Sequence, residues 1–259
     1  MLKEILKVKQ QEVRELVMPP AATAASISFL HSLKHPNRDL GLIAEVKKAS
    51  PSRGVIRADF DPVDIASRYE DAGADAISVL TDETFFQGYR DYIPAIKERV
   101  KLPVLRKDFI IDEKQVTESK LIGADAILLI AAVLDAGTLH DLYVQARELE
   151  LDCLVEVHSE AELHRVLERF TPEIIGVNNR DLARFTTSLD TTEKLSSFMP
   201  ENTLFISESG IFNRSDLDRV KRCGAQAVLV GEALMKSKDP GAAVRSLFDG
   251  GEFVDAAAR

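Results

Sequence analysis

Cysteine is scarce in this sequence, which has only Cys153 and Cys223 among its 259 residues. A chain of this length buries roughly three-quarters of its unfolded surface, so it needs no disulfide or metal ion for stability. Cys153 falls in a predicted strand and Cys223 at a predicted helix end. Both are therefore expected to be buried, reduced thiols of a cytoplasmic protein rather than partners in a disulfide.

Long apolar runs and excess positive charge are also missing. The apolar run at residues 126–134 is too short to cross a bilayer, and residues 1–10 carry charges in every turn, unlike a signal peptide. The formal net charge of −9 disfavours nucleic acid or an anionic membrane as a partner. A small anionic substrate is compatible with this charge if lysines and arginines gather at its site.

Metal and nucleotide motifs are absent as well. The five histidines are His31, His35, His140, His158 and His164. No two of them form a close pair at a strand end, and His158 and His164 are expected at a helix start and on its surface. No Gly-x-Gly-x-x-Gly or Walker sequence follows the first strand, and neither cysteine has a base signature beside it.

Strand and helix patterns alternate after about residue 40. The predicted strands are 42–46, 74–80, 104–107, 126–130, 153–157, 174–178, 204–207 and 227–230, and helical patterns cover 62–72, 113–122, 135–150, 160–170 and 214–223. Several strands are continuously apolar, as in parallel sheets covered by helices. Eight strands each followed by a helix predict an α/β fold, a (β/α)8 TIM barrel, in one domain spanning residues 1–259.

A short internal repeat supports a barrel of repeated units. Gly73-Ala-Asp-Ala-Ile recurs at Gly123, and a looser copy begins at Gly224. Each glycine can end a helix in the left-handed conformation, and the residues after it lead into the next strand.

Residues 1–40 precede the first strand and form a predicted helical extension of the same domain. A helix is expected at 2–16, and a second, short one near 24–33 after Pro19-Pro20. Two roles remain open for this segment: packing as a cap along the barrel rim, or forming part of a lid over the active site.

Polar side chains end five of the predicted strands. They are Glu45 and Lys47, Lys107, Glu156, Asn178, and Glu208. The C-terminal ends of barrel strands form the active site of this fold, and burying so many polar groups together is costly without a ligand or a reaction. These residues therefore predict acid–base chemistry on an anionic substrate.

Lys107 is the best candidate for a general acid, because a partly closed pocket can lower the pKa of an ammonium toward neutrality. Glu45 and Glu156 are candidate bases, or partners that keep the lysines charged. Glu208 could serve the same ends or order the lysines. The sequence leaves open which carboxylate takes which proton.

Two loops near the end of the chain predict a phosphate site. Gly210 and Gly231 follow the last two strands, where barrels hold phosphate on backbone N–H groups, and Arg180 lies one loop earlier. The long loop at residues 48–61 contains Pro51 and Gly54. It is either a mobile flap over the site or a passive surface loop.

Seven segments together resemble the indole-3-glycerol phosphate synthase family. They are IAEVKKASPSRG (43–54), SVLTDETFFQG (78–88), LRKDFIID (105–112), LVEVH (154–158), GVNNRDL (176–182), SESGI (207–211) and LVGEALM (229–235). The similarity runs in order from about residue 1 to 245 and includes every predicted strand–helix loop but the fourth. Arg53 and Arg184 depart from residues common in the family.

The resemblance implies a carboxy-lyase of tryptophan biosynthesis that needs no cofactor. Its substrate would be the phosphosugar–anthranilate compound 1-(2-carboxyphenylamino)-1-deoxyribulose 5-phosphate, closed to indole-3-glycerol phosphate with loss of carbon dioxide and water. Association with other enzymes of that pathway stays open. Two alternatives are another phosphosugar barrel, such as phosphoribosylanthranilate isomerase, and a non-catalytic phosphosugar-binding barrel. Neither explains the paired lysines together with intact carboxylates.

The resemblance also implies roles for individual residues. Lys107 would protonate the substrate carbonyl during ring closure, Lys47 would meet the substrate carboxylate and assist dehydration with Glu45, and Glu156 would partner the proton transfers. The remaining implied residues are Asn178, Glu208 and Ser209 for positioning, Arg180, Gly210, Gly231 and the backbone of Glu232 for phosphate, and Ser50 and Phe109 around the anthranilate ring.

Overall fold

Parallel strands close into a barrel in this computed structural model, which describes residues 1–181 and 186–250. Arg184 lies outside the described residues. The strands within them are β1 (Gly41–Val46), β2 (Ala49–Ser50), β3 (Gly54–Val55), β4 (Ala76–Leu80), β5 (Val104–Lys107), β6 (Ala126–Ile130), β7 (Asp152–Val157), β8 (Ile174–Asn178), β9 (Leu204–Glu208) and β10 (Ala227–Val230). The barrel order is β1-β10-β9-β8-β7-β6-β5-β4, so the predicted eight-stranded fold is confirmed.

Helices separate the barrel strands along the chain. Those of the described residues are α1 (Leu2–Glu15), α2 (Phe29–Lys34), α3 (Pro62–Asp71), α4 (Glu83–Phe86), α5 (Tyr92–Lys97), α6 (Glu113–Leu121), α7 (Ala136–Glu148), α8 (Glu160–Leu167), α9 (Asp190–Ser196), α10 (Arg214–Arg222), α11 (Glu232–Lys236) and α12 (Pro240–Asp249). None of these helices is long and apolar enough to span a membrane. Short polar side chains cap many of them; Asp61, for example, accepts the N–H groups of Val63 and Asp64.

The repeated glycines end helices as predicted. Gly73, Gly123 and Gly224 have φ angles of 79°, 83° and 90°, a region in which other residues are strained. The residue two positions after each glycine is a side-chain acceptor that holds the start of the preceding barrel strand. The pairs are Asp75 with the N–H of Leu42 (2.8 Å), Asp125 with Val104 (2.8 Å) and Gln226 with Phe205 (3.1 Å). Residues 74 and 75 place this acceptor side chain and lie outside β4, which therefore begins later than predicted.

Helix α2 closes the bottom of the barrel. Phe29 and Leu33 are fully buried among inward side chains of the strands. The helix begins five residues later than the pattern predicted, because the N–H of Ile27 donates to Asp125 and the hydroxyl of Ser28 caps the first turn. The segment before it is therefore held extended along the barrel.

Helix α1 lies at the opposite end of the barrel, at its mouth, and matches the predicted helix to within one residue. Its Lys9 ammonium is 3% exposed and contacts Asp108 at 2.9 Å, Asp82 at 3.0 Å and Glu12 at 2.6 Å. Burial alone would lower the pKa of Lys9, but attraction to Asp108 and Asp82 outweighs it and raises that pKa. The first turn of α1 also lines the cavity described below. The N-terminal extension therefore packs along the barrel rim and forms part of the cavity wall.

The two cysteines are free thiols, as expected. Cys153 is buried, and its burial raises the pKa of the thiol. Cys223 is only partly buried, contrary to expectation, because it sits at the C-terminus of α10, where its Sγ contacts the carbonyl of Arg219.

Replacing Lys9 with alanine should destabilise the fold, because it removes the ammonium that contacts buried Asp82 and leaves buried Asp108 with Arg106 alone of its two cations. Removing one partner of a buried ion cluster typically costs about 3 kcal/mol or more. We expect that loss in the free energy of unfolding, measured by urea denaturation. Lys3→Ala, an exposed lysine of the same helix, is the matched control. An equal effect of the two variants would contradict the anchoring role of Lys9.

Candidate active site

One cavity at the C-terminal ends of the barrel strands gathers every site residue predicted from the sequence. Its empty volume, including space open to solvent at the mouth, is about 1210 Å³. The predicted residues that line it are Glu45, Lys47, Ser50, Lys107, Phe109, Glu156, Asn178, Arg180, Glu208, Ser209, Gly210, Gly231 and Glu232. Met1, Leu2 and Ile5 of the N-terminal segment also line it, although no strand-end pattern marks them.

Lys107 lies at the end of β5 between two carboxylates. Its Nζ is 3.2 Å from Glu156 Oε2 and 3.9 Å from Glu208 Oε2. Burial alone would lower the pKa of Lys107, but attraction to Glu156, Glu208 and Glu45 outweighs it and raises that pKa above the usual value. The expectation of a pKa lowered toward neutrality was wrong, because it considered the pocket without the charges around the ammonium.

Glu208 is the group whose pKa moves toward neutrality. Burial, and then the nearby charge of Glu156, raise the pKa of Glu208 to about 8. Burial would also raise the pKa of Glu156, but attraction to Lys107 outweighs it and keeps that pKa well below its ordinary value. Both carboxyl oxygens of Glu208 are buried, and neither makes a hydrogen bond of good geometry in the described residues.

A glycine on β8 makes room for Glu208. A Cβ on Gly176 would lie 2.1 Å from Glu208 Oε1 and 3.0 Å from Leu154 Cδ1. No other residue fits at this position without moving the carboxylate. The strand pattern does not mark Gly176, because its role depends on where the Glu208 side chain of the neighbouring strand lies.

His158 lies at the start of α8, as expected, but its contact with Glu156 of the site was not foreseen. Its ring is mostly buried, with Nε2 3.3 Å from Glu156 Oε1 and Nδ1 3.2 Å from Glu162 Oε2. His158 follows Glu156 by two positions and comes directly after the last residue of β7, Val157. This two-residue spacing was the signal in the sequence that could have indicated the contact between His158 and Glu156. His164, by contrast, lies half-exposed on α8 as expected.

Glu45 and Lys47 form a close ion pair at the end of β1. Gly231 lies directly against this pair, since a Cβ there would be 2.1 Å from Glu45 Oε2 and 3.1 Å from Lys47 Nζ. The glycine was expected to serve phosphate binding alone. Its lack of a side chain also leaves room for the ion pair, so replacing it would disturb both ends of the cavity.

Positive charge gathers at the other end of the cavity, around the carboxylate of Glu232. Arg180 Nη2 lies 3.2 Å from Glu232 Oε2, while Arg53 Nε and Lys236 Nζ lie 3.3 Å and 3.0 Å from Oε1. Burial would raise the pKa of Glu232, but its bond with Lys236 and the nearby cations lower it. This end of the cavity is therefore suited to an anion.

The backbone turns sharply where β9 meets this end. Ser209 and Gly210 have φ angles of 66° and 81°, and a Cβ on Gly210 would lie 2.8 Å from Thr187 Cγ2. The amide oxygen of Asn178 accepts the N–H of Arg180 at 3.0 Å and so orders the loop that carries this arginine.

The long loop after β1 closes over the cavity. Strands β2 and β3 pair as an antiparallel hairpin within it. The Ser52 hydroxyl accepts a hydrogen bond from Arg180 Nη1 at 3.0 Å, and Arg53 reaches Glu232. Ser50 is buried, and its hydroxyl has no hydrogen-bond partner in the described residues. These contacts favour the flap over the passive loop.

An apolar wall completes the cavity between its two charged regions. Phe109 follows β5, and its ring lies 6.3 Å from that of Phe86. Leu128, Ile130 and Leu229 line the same cavity. An aromatic ligand can therefore be held between charged groups at either side. Within residues 1–181 and 186–250, no group of three or more His, Cys, Asp and Glu side chains could hold a metal ion.

The barrel, the ammonium–carboxylate cluster and the cationic end together define a (β/α)8-barrel enzyme site for acid–base chemistry on an anionic substrate. The model of the family described as indole-3-glycerol phosphate synthase matches residues 2–247. The chain belongs to this family.

Relatives of that name cover nearly the whole chain. The indole-3-glycerol phosphate synthase of Halalkalibacterium halodurans is 54% identical over 96% of this chain and 97% of its own length. That of Geobacillus kaustophilus is 56% identical over 96% of both chains, and that of Priestia megaterium 52% identical over 98% and 99%.

Solved structures of distant proteins share the fold. The 3-hexulose-6-phosphate synthase of Salmonella typhimurium superposes with a TM-score of 0.65, at 17% identity, over 81% of this chain and 97% of that one. A second 3-hexulose-6-phosphate synthase gives a TM-score of 0.63 at 16% identity, over 82% and 100%.

The raised pKa of Glu208 predicts how activity depends on pH. Below about pH 8 this carboxyl keeps its proton; above it, a second negative charge forms beside Glu156 and repels an anionic substrate. We expect kcat/KM to fall above about pH 8. Glu208→Gln mimics the protonated acid, so the fall of kcat/KM at high pH should disappear in this variant. Glu98→Gln, on the surface, should keep it. A limb unchanged by Glu208→Gln would contradict the assignment.

Proposed function

We propose that this protein closes 1-(2-carboxyphenylamino)-1-deoxyribulose 5-phosphate to indole-3-glycerol phosphate, releasing carbon dioxide and water, as a carboxy-lyase of tryptophan biosynthesis. The observation that carries this proposal is the ammonium of Lys107 held between Glu156 and Glu208, in one cavity with a cationic end. Membership of the family supports the same reaction. These observations argue against the two alternatives, another phosphosugar barrel and a non-catalytic phosphosugar-binding barrel.

Ring closure is assigned to Lys107. The aryl carbon that bears the carboxylate attacks the ketose carbonyl carbon, and the carbonyl oxygen takes a proton from Lys107 to become a hydroxyl. The raised pKa of Lys107 ensures that the proton is present, and a developing alkoxide is a stronger base than an amine. Glu156, hydrogen-bonded to the ammonium, orients it and offsets its charge.

Decarboxylation and dehydration follow. When the carbon–carboxylate bond breaks, its electron pair restores the aromatic ring and carbon dioxide leaves. The hydroxyl then departs as water with a proton from a nearby acid, while a base removes a proton from the adjacent methylene group. Lys47 is proposed to hold the substrate carboxylate before its loss and, with Glu45, to assist this dehydration.

The phosphate is assigned to the cationic end. Arg180, the backbone N–H groups of Gly231 and Glu232, and the turn at Gly210 would hold it. In this structure the carboxylate of Glu232 forms an ion pair with the guanidinium of Arg180, at 3.2 Å. An arriving phosphate would exchange with that carboxylate and bring the flap closer through Arg53.

The aromatic ring of the substrate is assigned to the apolar wall beside Phe109, with Ser50 under the flap. Asn178 and Ser209 are proposed to position substrate and loops. We also propose a single domain over residues 1–259 and a cytoplasmic location, which the free thiols support because reducing compartments keep cysteines unpaired. With a net charge of −9, no nucleic-acid partner is proposed.

The reaction is tested by incubating the protein with the phosphosugar–anthranilate substrate and following indole-3-glycerol phosphate by its fluorescence. Lys107→Ala should lower kcat at least about a hundredfold, the usual size of a general-acid effect, with little change in KM. Lys114→Ala, an exposed lysine of α6, should behave as wild type. Near-normal turnover of Lys107→Ala would show that another group is the acid.

The phosphate site is tested with inorganic phosphate by calorimetry. Arg180→Gln should weaken phosphate binding about tenfold, the effect of one charge-assisted hydrogen bond. Arg245→Gln, an exposed arginine of α12, removes the same charge outside the cavity and should change nothing. Gly231→Val would be a poor probe, because it also displaces Glu45. Equal affinities for both arginine variants would place the phosphate elsewhere.

A further inference from the structure

The ring of His158 is placed between two carboxylates on different elements. Nε2 lies 3.3 Å from Glu156 Oε1 at the end of β7, and Nδ1 lies 3.2 Å from Glu162 Oε2 on α8. The His158 side chain is 10% exposed. Nε2 is buried and makes no hydrogen bond of good geometry in the described residues, so Glu156 is its ionic partner.

This arrangement favours protons on both ring nitrogens. In a neutral imidazole one nitrogen carries a lone pair, which would then face a carboxylate oxygen at close range. The imidazolium instead presents an N–H to each side. The backbone N–H of His158 also donates to Glu162 Oε2 at 2.8 Å, which fixes that carboxylate beside the ring.

Charges alternate through this part of the molecule. Glu162, His158, Glu156, Lys107 and Glu208 follow one another as acid, base, acid, base and acid. A further charge on α8 belongs to Arg165, whose guanidinium donates to the carbonyl of Ala131. Glu156 therefore has a cation on each of its two oxygens, whereas the cation that contacts Glu208 among the described residues is Lys107.

We propose that His158 is a positioning residue, which keeps Glu156 ionised and turned toward Lys107 so that the proton held in the site resides on Glu208. The inference rests on the proposed function, in which Glu156 and Lys107 take part in the proton transfers. It assigns to His158 a role that requires its charge and not merely its volume.

The electrostatics of the ring agree with this role. Burial would lower the pKa of His158, but bonds and attraction to Glu156 and Glu162 outweigh it and raise that pKa to about 10. The ring is then charged at neutral pH. Its charge contributes to the low pKa of Glu156, after the larger contribution of Lys107.

Kinetics test the role through the alkaline limb of kcat/KM that is assigned above to Glu208. The charge of His158 lowers the pKa of Glu208 as well as that of Glu156, so removing it should raise the pH at which this pair loses its proton and move the limb to higher pH. An opposite charge within ~4–6 Å typically shifts a carboxylate pKa by 1–3 units, so we expect a shift of about one unit in His158→Leu and His158→Gln. His164→Gln on the exposed side of α8 is the matched control.

A merely structural role gives a different outcome. In that case the variants would lower the unfolding temperature, while the alkaline limb and KM stayed where they are in the wild type. Such a result would overturn the proposal. His158→Gln keeps a hydrogen-bond donor of similar reach, so it guards against loss of folding in the leucine variant.

An NMR titration of the wild-type free protein tests the charge without any assay of activity. The ring resonances of His158, assigned by their disappearance in His158→Gln, should stay those of an imidazolium through pH 8. Titration near the ordinary value of about 6.5 would overturn the proposal. Failure of the proposed function would instead appear as no indole-3-glycerol phosphate formed by the wild-type protein, so the two failures can be told apart.

Discussion

The contact between the Lys107 ammonium and the carboxylates of Glu156 and Glu208 is the interaction on which the site depends. Burying one such ion costs several kcal/mol, and only close opposite charges offset that cost. The barrel concentrates them because alternate strands, β5, β7 and β9, carry Lys107, Glu156 and Glu208 at their C-terminal ends, around one cavity. Burial and the charge of Glu156 raise the pKa of Glu208 to about 8, so this carboxyl of the three-group cluster holds a proton at neutral pH.

A second buried ion cluster supports the first from the next residue along the chain. Asp108 follows Lys107 directly, and its carboxylate binds Lys9 of α1 at 2.9 Å and Arg106 at 3.2 Å. Attraction to Lys9 and Arg106 outweighs burial and lowers the pKa of Asp108. The N-terminal helix is thus tied to the strand that carries the proposed acid, which links the extension to the geometry of the cavity.

The order of strands and the polar strand ends could be predicted, because alternation along a strand and repeated β/α units are local patterns. Three features could not. The pKa of Lys107 depends on distances to carboxylates from other strands, which no local pattern contains. The late start of α2 depends on Asp125, nearly one hundred residues away. The contact of His158 with Glu156 depends on how the chain bends after β7 ends at Val157, which the strand pattern does not contain.

A crystal structure of the protein with indole-3-glycerol phosphate bound would test the central claim most directly. The account predicts that the phosphate contacts Arg180 and the backbone N–H of Gly231, that the indole ring lies against Phe109, and that Lys107 Nζ stands between this ring and Glu156. A product bound with its phosphate outside the cationic end, or with its ring out of reach of Lys107, would contradict it.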